Sequence, residues 1–376
     1  MGELAARAET IKLARELSAD PEDLAFLRSA SEDDLRALRA TISRSLFAAH
    51  EHKLRRLAAM SKMIPVALSA KITEATLPPM LCGRTAGFLD PPIAAKLSSH
   101  FKPEFLAEVS CYLDPERSAK IIPALPDDLI LDVARVLLDR NEYIVLARFV
   151  SVVREDLAGK VVAMASGAQL LEASFYAEDR TRIDALLSYV SDDVLVDVIR
   201  AADKLDLFDE AVSLIVFIGP DSLARLSDAV LAIEPEVADG IVRAIVGLHA
   251  WNELLPAVGH FSPAAIARLV NVPTTMDPDV ISGLIAQVRE QQDLIDNARE
   301  LGLFAMLVEI MDVLDDEHRA VLGKVPELDD PELRSWAAGL VGISVATADA
   351  AVAAFRSGDP LPAELVDALA ATAATR

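Results

Sequence analysis

Histidines, cysteines and acidic doublets are the residues through which this chain could do chemistry, and their spacing decides what chemistry that would be. His50 and His52, in "HEHK", stand two apart. On a helix they point about 200° away from each other and cannot share a metal ion. His100, His249, His260 and His318 are scattered and fall at expected helix ends or turns. Cys82 and Cys111 fit neither a metal-ligand spacing nor a disulfide framework, and Cys111 reads as a small buried side chain on an apolar helix face. Asp127-Asp128, Asp192-Asp193, Asp315-Asp316-Glu317 and Asp329-Asp330 each precede or open an expected helix. There a carboxylate caps free amides and gains about 0.3–1 kcal/mol from the helix dipole. A divalent-cation surface between neighbouring repeats is the alternative. The sequence has no glycine-rich phosphate loop, nucleophile elbow, H-E-x-x-H, C-x-x-C or EF-hand loop. No catalytic, cofactor-binding or metal site is therefore expected.

One set of charged residues recurs at a fixed place in a pattern. Arg135, Arg200 and Arg243 occupy the same position in successive copies of a helical phrase. Asp132 and Asp197 lie three residues before the first two, so pairing within a helix is one reading. The other is an arginine stripe along one face, able to receive an acidic partner segment; these three are the candidate interaction surface.

The phrase itself sets the architecture. "LPDDLILDVARVLLDRNEY" from Leu125 returns as "VSDDVLVDVIRAADKLDLF" from Val190. The apolar face Leu129, Ile130, Val133, Ala134, Leu137 recurs from Val194, again from Val237 and again from Val280. This is one face of an α-helix, four times in phase. A second helix is expected to open on Tyr143, Phe208, Trp251 and Phe304. A third, shorter one starts near Pro220 and Pro263, with Val161, Leu226, Leu269 and Leu322 as its buried side. An additional helix fits near Asp179 to Tyr189, and about ten residues around "EQQDLIDNAR" are an insertion. Upstream, "FLDP" at Phe88 returns as "YLDP" at Tyr112, a 24-residue unit that holds two helices. Strand signals are nearly absent.

The expected fold is all-α: an α-solenoid of 24-residue helix pairs, then 43-residue helical repeats, with atypical capping helices at both ends. The organisation reads as 1–62, an N-terminal cap with one long continuous helix after Ser29 or Ser31; 63–125, short-helix repeats; 126–325, the longer repeats; and 326–376, an Ala-rich C-terminal cap. "LDPERSAKIIPALPDDLILDVARVLL", Leu113 to Leu138, resembles the cytosolic N-terminal domain of MgtE-type magnesium transporters, an armadillo-like superhelix related to flagellar motor switch domains. The likeness is clearest over residues 64–160. It implies a superhelix of short helices and sensitivity to a divalent cation, but no regulatory domain or transmembrane bundle follows, so transport does not carry over.

Composition narrows the partners. The chain has 376 residues, 52% of them apolar, a mean hydropathy of +0.32 and a formal net charge of −23. That charge argues against nucleic acid or an anionic membrane surface. The charged N-terminus shows no signal peptide. The apolar stretch Ser335 to Phe355 is interrupted by Asp349 and reads as a buried helix pair rather than a membrane span. With so few cysteines, the cytoplasm is the expected compartment. The favoured function is a non-enzymatic scaffold or adaptor for another protein. The alternatives are a soluble carrier of a hydrophobic small molecule or lipid, and a divalent-cation-responsive module.

Overall fold

The computed structural model describes residues 2–60, 65–248, 254, 257–290, 296 and 314–373. It is 78% helical and all-α, with no strand among the described residues. It divides into two compact units, Met1–Val198 and Ile199–Arg376.

The first unit opens with α1 (Gly2–Leu17) and α2 (Glu32–Ala48), which pack on each other, followed by α3 (Glu51–Met60) and α4 (Val66–Thr76). The next helices start on prolines twelve residues apart: α5 (Pro79–Ala86), α6 (Pro91–Ser98), α7 (Pro103–Ser110) and α8 (Pro115–Ser118). Proline suits this position because its missing N–H would have no partner in a first turn anyway. It also forces the preceding residue to be extended, and Pro78, Asp90, Lys102 and Asp114 have ψ of 139°, 136°, 144° and 114°. Each 24-residue unit thus resolves into two single-helix steps, and the last of these helices, α8, is only four residues long.

Helices this short are unstable alone, so each leans on the next but one. Helix α3 packs on α5, α5 on α7, and α7 on α9 (Asp127–Asp139), forming one layer. Helices α4 and α6 pack on each other, and α6 packs on the 3-10 turn Ile122–Ala124 to form a second layer. The unit continues through α10 (Tyr143–Val150), α11 (Glu155–Met164), α12 (Gly167–Phe175), α13 (Ile183–Leu187) and the start of α14 (Asp192–Leu205). Tyr143 opens its helix as expected, and α13 is the additional helix. Ala134, Leu137, Leu138, Val145, Leu146 and Val161 are buried together in the core that α9, α10 and α11 share.

The expectation of one long helix after Ser31 is corrected. Ser31 does cap α2, its side chain accepting from the Asp34 amide at 3.1 Å, but the helix stops at Ala48 and α3 begins at Glu51. The two halves serve different neighbours. Helix α2 packs on α1, α3 packs on α5, and Phe47 at the break lies 4.9 Å beneath the Arg117 guanidinium.

The second unit carries the rest of α14, then α15 (Phe208–Leu214), α16 (Pro220–Leu231), α17 (Pro235–Leu248), α18 (Pro263–Val270), α19 (Pro278–Glu290) and α20 (Asp316–Leu322). Helices therefore occupy all four positions where the phrase recurs, and Phe208, Pro220 and Pro263 each open one. Leu226, Leu269 and Leu322 are only half-buried. Leu223, Ile266 and His318, about a turn earlier, are buried instead, together with Ser227, Ala229 and Val230 later in α16. Trp251, Phe304 and the inserted stretch after Glu290 lie almost wholly outside the described residues. The unit ends with α21 (Pro331–Val341), α22 (Val345–Ser357) and α23 (Ala363–Ala373), which pack on one another. Helices α21 and α22 meet at 108°, and no single described helix is long and apolar enough to cross a membrane.

Several glycines set close approaches, Gly167 and Gly240 among them. A Cβ on Gly167 would come within 2.4 Å of the Asp197 backbone, and one on Gly240 within 2.2 Å of the Phe208 ring. Gly283, inside α19, would meet nothing. Gly167→Ala is expected to destabilise the protein by about 1–3 kcal/mol through overpacking. Gly283→Ala should stabilise it by about 0.5–1 kcal/mol by removing a flexible residue from a helix. Chemical denaturation of both variants checks the pair.

Candidate functional site

An apolar cavity of about 220 Å³ lies in the first unit, in the seam between the two layers. Leu57 and Ala58 of α3, Leu81 and Cys82 of α5, Leu106 and Val109 of α7, and Val133 and Leu137 of α9 form one wall. Thr73 of α4, Ala94 and Leu97 of α6, and Ile121 and Ile122 form the other. Phe101, Phe105 and Phe149 add aromatic surface. No charged side chain lines it. Its polar groups are hydroxyls, chiefly Ser69, Thr85, Ser98, Ser110 and Ser118, and the Cys82 thiol, which burial pushes up to about 11 so that it stays neutral. The periodic apolar residues of α9 belong to this wall, although the sequence assigned them only to a helix face.

A second opening of about 850 Å³ lies between the α1–α2 hairpin and the outer face of α5 and α7. Its lining is charged: Arg15, Arg39, Arg44, Arg84, Arg140 and Arg148 face Glu16, Glu108, Asp114, Glu142 and Glu178. Beside it, Glu9 and Lys12 of α1 are almost fully buried and bonded to each other at 2.8 Å. Arg39 of α2 reaches Glu9 and Glu178, each at 2.9 Å, and Arg15 pairs with Glu142. Burial alone would raise the Glu9 carboxyl, but the charges and hydrogen bonds of Lys12 and Arg39 outweigh it and hold the group below its ordinary 4.5. Burial, more than any neighbour, pulls Lys12 below its ordinary value. Burial and then the nearby Arg39 charge do the same to Arg148. The sequence gives no sign of this network, since a Glu and a Lys three apart look like a solvated helix face.

The three arginines singled out from the repeats do not stand alike. Arg135 pairs within its own helix with Asp132 at 2.8 Å, and Arg243 with Asp239 at 2.6 Å. Arg200 instead crosses to Glu234 at 3.0 Å and to the Ala232 carbonyl at 3.1 Å. Arg135 belongs to the first unit, Arg200 and Arg243 to the second. The acidic doublets act at helix starts. Asp315 caps α20 and Asp330 caps α21, while Asp127 pairs with Arg154 at 2.7 Å. Among the described residues, no three His, Cys, Asp or Glu side chains gather at metal-binding distance. His50 and His52 are exposed. His318 is buried, with Nδ1 2.7 Å from Asp315 and Nε2 3.0 Å from the Val272 carbonyl. No family model, curated protein or solved structure matches the chain.

The buried network makes a testable claim. Glu9→Gln leaves Lys12 buried with a weakened partner set and is expected to cost about 3–5 kcal/mol, the usual penalty for breaking a buried pair. Because the Glu9 carboxyl sits below 4.5 in the folded chain, its stabilisation is complete above that pH and is lost as pH falls below it. Thermal unfolding of the variant should therefore be lower than wild type at neutral pH, with the difference narrowing in acid.

Proposed function

We propose that the chain is a binding protein for a small apolar molecule, which lodges in the seam of the first unit. The observation that carries this is the uncharged cavity of about 220 Å³. Apolar surface left in contact with water costs roughly 25 cal/mol per Å². Whole domains are stable by only about 5–15 kcal/mol. An occupant offsets that cost, and apolar, largely pre-formed pockets are the usual small-molecule sites. Size sets the class of ligand. A 150 Å³ apolar cavity takes benzene, so a cavity half as large again takes an apolar body of about nine non-hydrogen atoms.

The composition supports the same reading, because a mean hydropathy of +0.32 leaves apolar surface for a ligand after the core is filled. A scaffold that receives an acidic partner on Arg135, Arg200 and Arg243 has less support, since each of the three already holds a carboxylate of its own chain. The divalent-cation reading that accompanies the MgtE resemblance is weakened in the same way, because Asp127, Asp315 and Asp330 already serve as pairs and caps.

Organic extraction of the freshly purified protein, followed by gas chromatography and mass spectrometry, should yield a stoichiometric apolar compound. Stripped protein should bind naphthalene in a fluorescence titration. Val133→Phe, which places a ring in the cavity, should raise the melting temperature and weaken naphthalene binding at least about tenfold, as filled cavities usually stabilise. A clean extract together with no naphthalene binding by the wild type would overturn the proposal.

A further inference from the structure

We infer that the occupant of the seam is uncharged and carries one hydrogen-bonding oxygen, a hydroxyl or carbonyl, that meets the side chains of Thr85 and Ser118; this rests on the apolar-ligand reading above. The exclusion of charge follows from the walls. No side chain of opposite charge lines the cavity, and an unpaired ion taken out of water is costly to bury. The charged groups of this unit gather in the separate opening under the α1–α2 hairpin.

The polar group follows from two hydroxyls. Several helical Ser and Thr residues of this unit satisfy themselves by bonding the carbonyl four residues back. Thr10 does so to Ala6 at 2.9 Å, Thr41 to Ala37 at 2.9 Å, Thr76 to Ile72 at 2.7 Å, and Ser110, on the cavity wall, to Leu106 at 2.8 Å. Thr85 and Ser118, which also line the cavity, do not: Thr85 Oγ1 and Ser118 Oγ are buried without any hydrogen-bond partner. Ser118 is 1% exposed. A buried hydroxyl left unpaired is destabilising, and such a group calls for a partner. Either hydroxyl can donate to a ligand oxygen or accept from a ligand hydroxyl. The seam thus presents a long apolar surface on which, among the described residues, the buried hydroxyls without a partner are Thr85 on α5 and Ser118 on α8. That pattern distinguishes an alcohol, phenol, aldehyde or ketone from a hydrocarbon.

The test uses two isosteric probes of nine non-hydrogen atoms, 4-ethylphenol and 4-ethyltoluene, titrated calorimetrically into wild type and into Thr85→Val/Ser118→Ala. The double variant is expected to bind 4-ethyltoluene as the wild type does, within about twofold, and to lose about tenfold in its preference for the phenol, the worth of one hydrogen bond. Without ligand, Ser118→Ala alone should melt higher than wild type, because it removes an unpaired buried hydroxyl. An unchanged preference between the probes, with both still bound, overturns the inference and leaves the apolar-ligand reading standing. A lower melting temperature for ligand-free Ser118→Ala also overturns it, since the hydroxyl would then already have a partner within the protein. Failure of the wild type to bind either probe removes the apolar-ligand reading, and the inference with it.

Discussion

An eight-residue helix has too few internal hydrogen bonds to persist in water, and the first unit is built largely from such helices. Each must borrow stability from its neighbours, and the chain meets this demand through a fixed step. A proline opens each helix from α5 to α8 and forces the residue before it to extend, so the direction of the chain is reset every twelve residues there. Alternate helices then fall beside one another, α3, α5, α7 and α9 on one side and α4 and α6 on the other. Two layers follow from that arrangement, and a seam between layers follows from there being two. The cavity is thus a consequence of the length of the helices, before any question of what fills it.

Close packing is spent unevenly within this scheme. A Cβ on Gly83 would sit 2.6 Å from the Val109 carbonyl, so α5 and α7 approach more closely than any larger residue would allow. Between the layers the contacts are made by the ends of Leu, Ile and Phe side chains, which leave space where those within a layer do not. The N-terminal hairpin is held by a third means. Its link to the rest of the first unit runs through Arg15 to Glu142, Arg39 to Glu178 and Arg180 to Glu32, around an opening of about 850 Å³. Buried ion pairs of this kind are poor contributors to net stability but severe when broken, so they specify how the hairpin sits more than they strengthen the fold.

Local order was legible in the sequence and distant order was not. The phrase beginning at Asp127, Asp192, Pro235 and Pro278 announces a helix because its apolar spacing is a property of neighbouring residues, and helices stand at all four places. Pro220 and Pro263 likewise mark real helix starts. The break after Ala48 was hidden because nothing in "SLFAAHEH" disfavours a helix; it arises from Phe47 meeting Arg117, seventy positions away. The Glu234 partner of Arg200 was hidden for a similar reason. Asp197 is near in sequence, while Glu234 is brought near by folding, and the fold gives Arg200 a two-nitrogen contact with Glu234. Thr85 and Ser118 look like any other helical hydroxyls until their partners are counted. Repeats report the periodicity of a structure, and a binding site is where that periodicity fails.

This division also explains how so acidic a chain can keep a neutral interior. The net charge is −23, and much of the acid is placed at helix starts, where the dipole favours it and where the chain turns through solvent. Asp90 and Asp114 stand immediately before the prolines of α6 and α8, and Asp127 and Asp128 open α9. The residues that line the seam come from the turns between those starts, at Ala94 and Leu97, Val133 and Leu137. Within one twelve-residue step the chain therefore spends its charge at one end and its apolar surface in the middle. The charged helix starts and the apolar seam thus fall on different residues, and the unpaired hydroxyls of Thr85 and Ser118 sit in the seam without disturbing the helices that carry them.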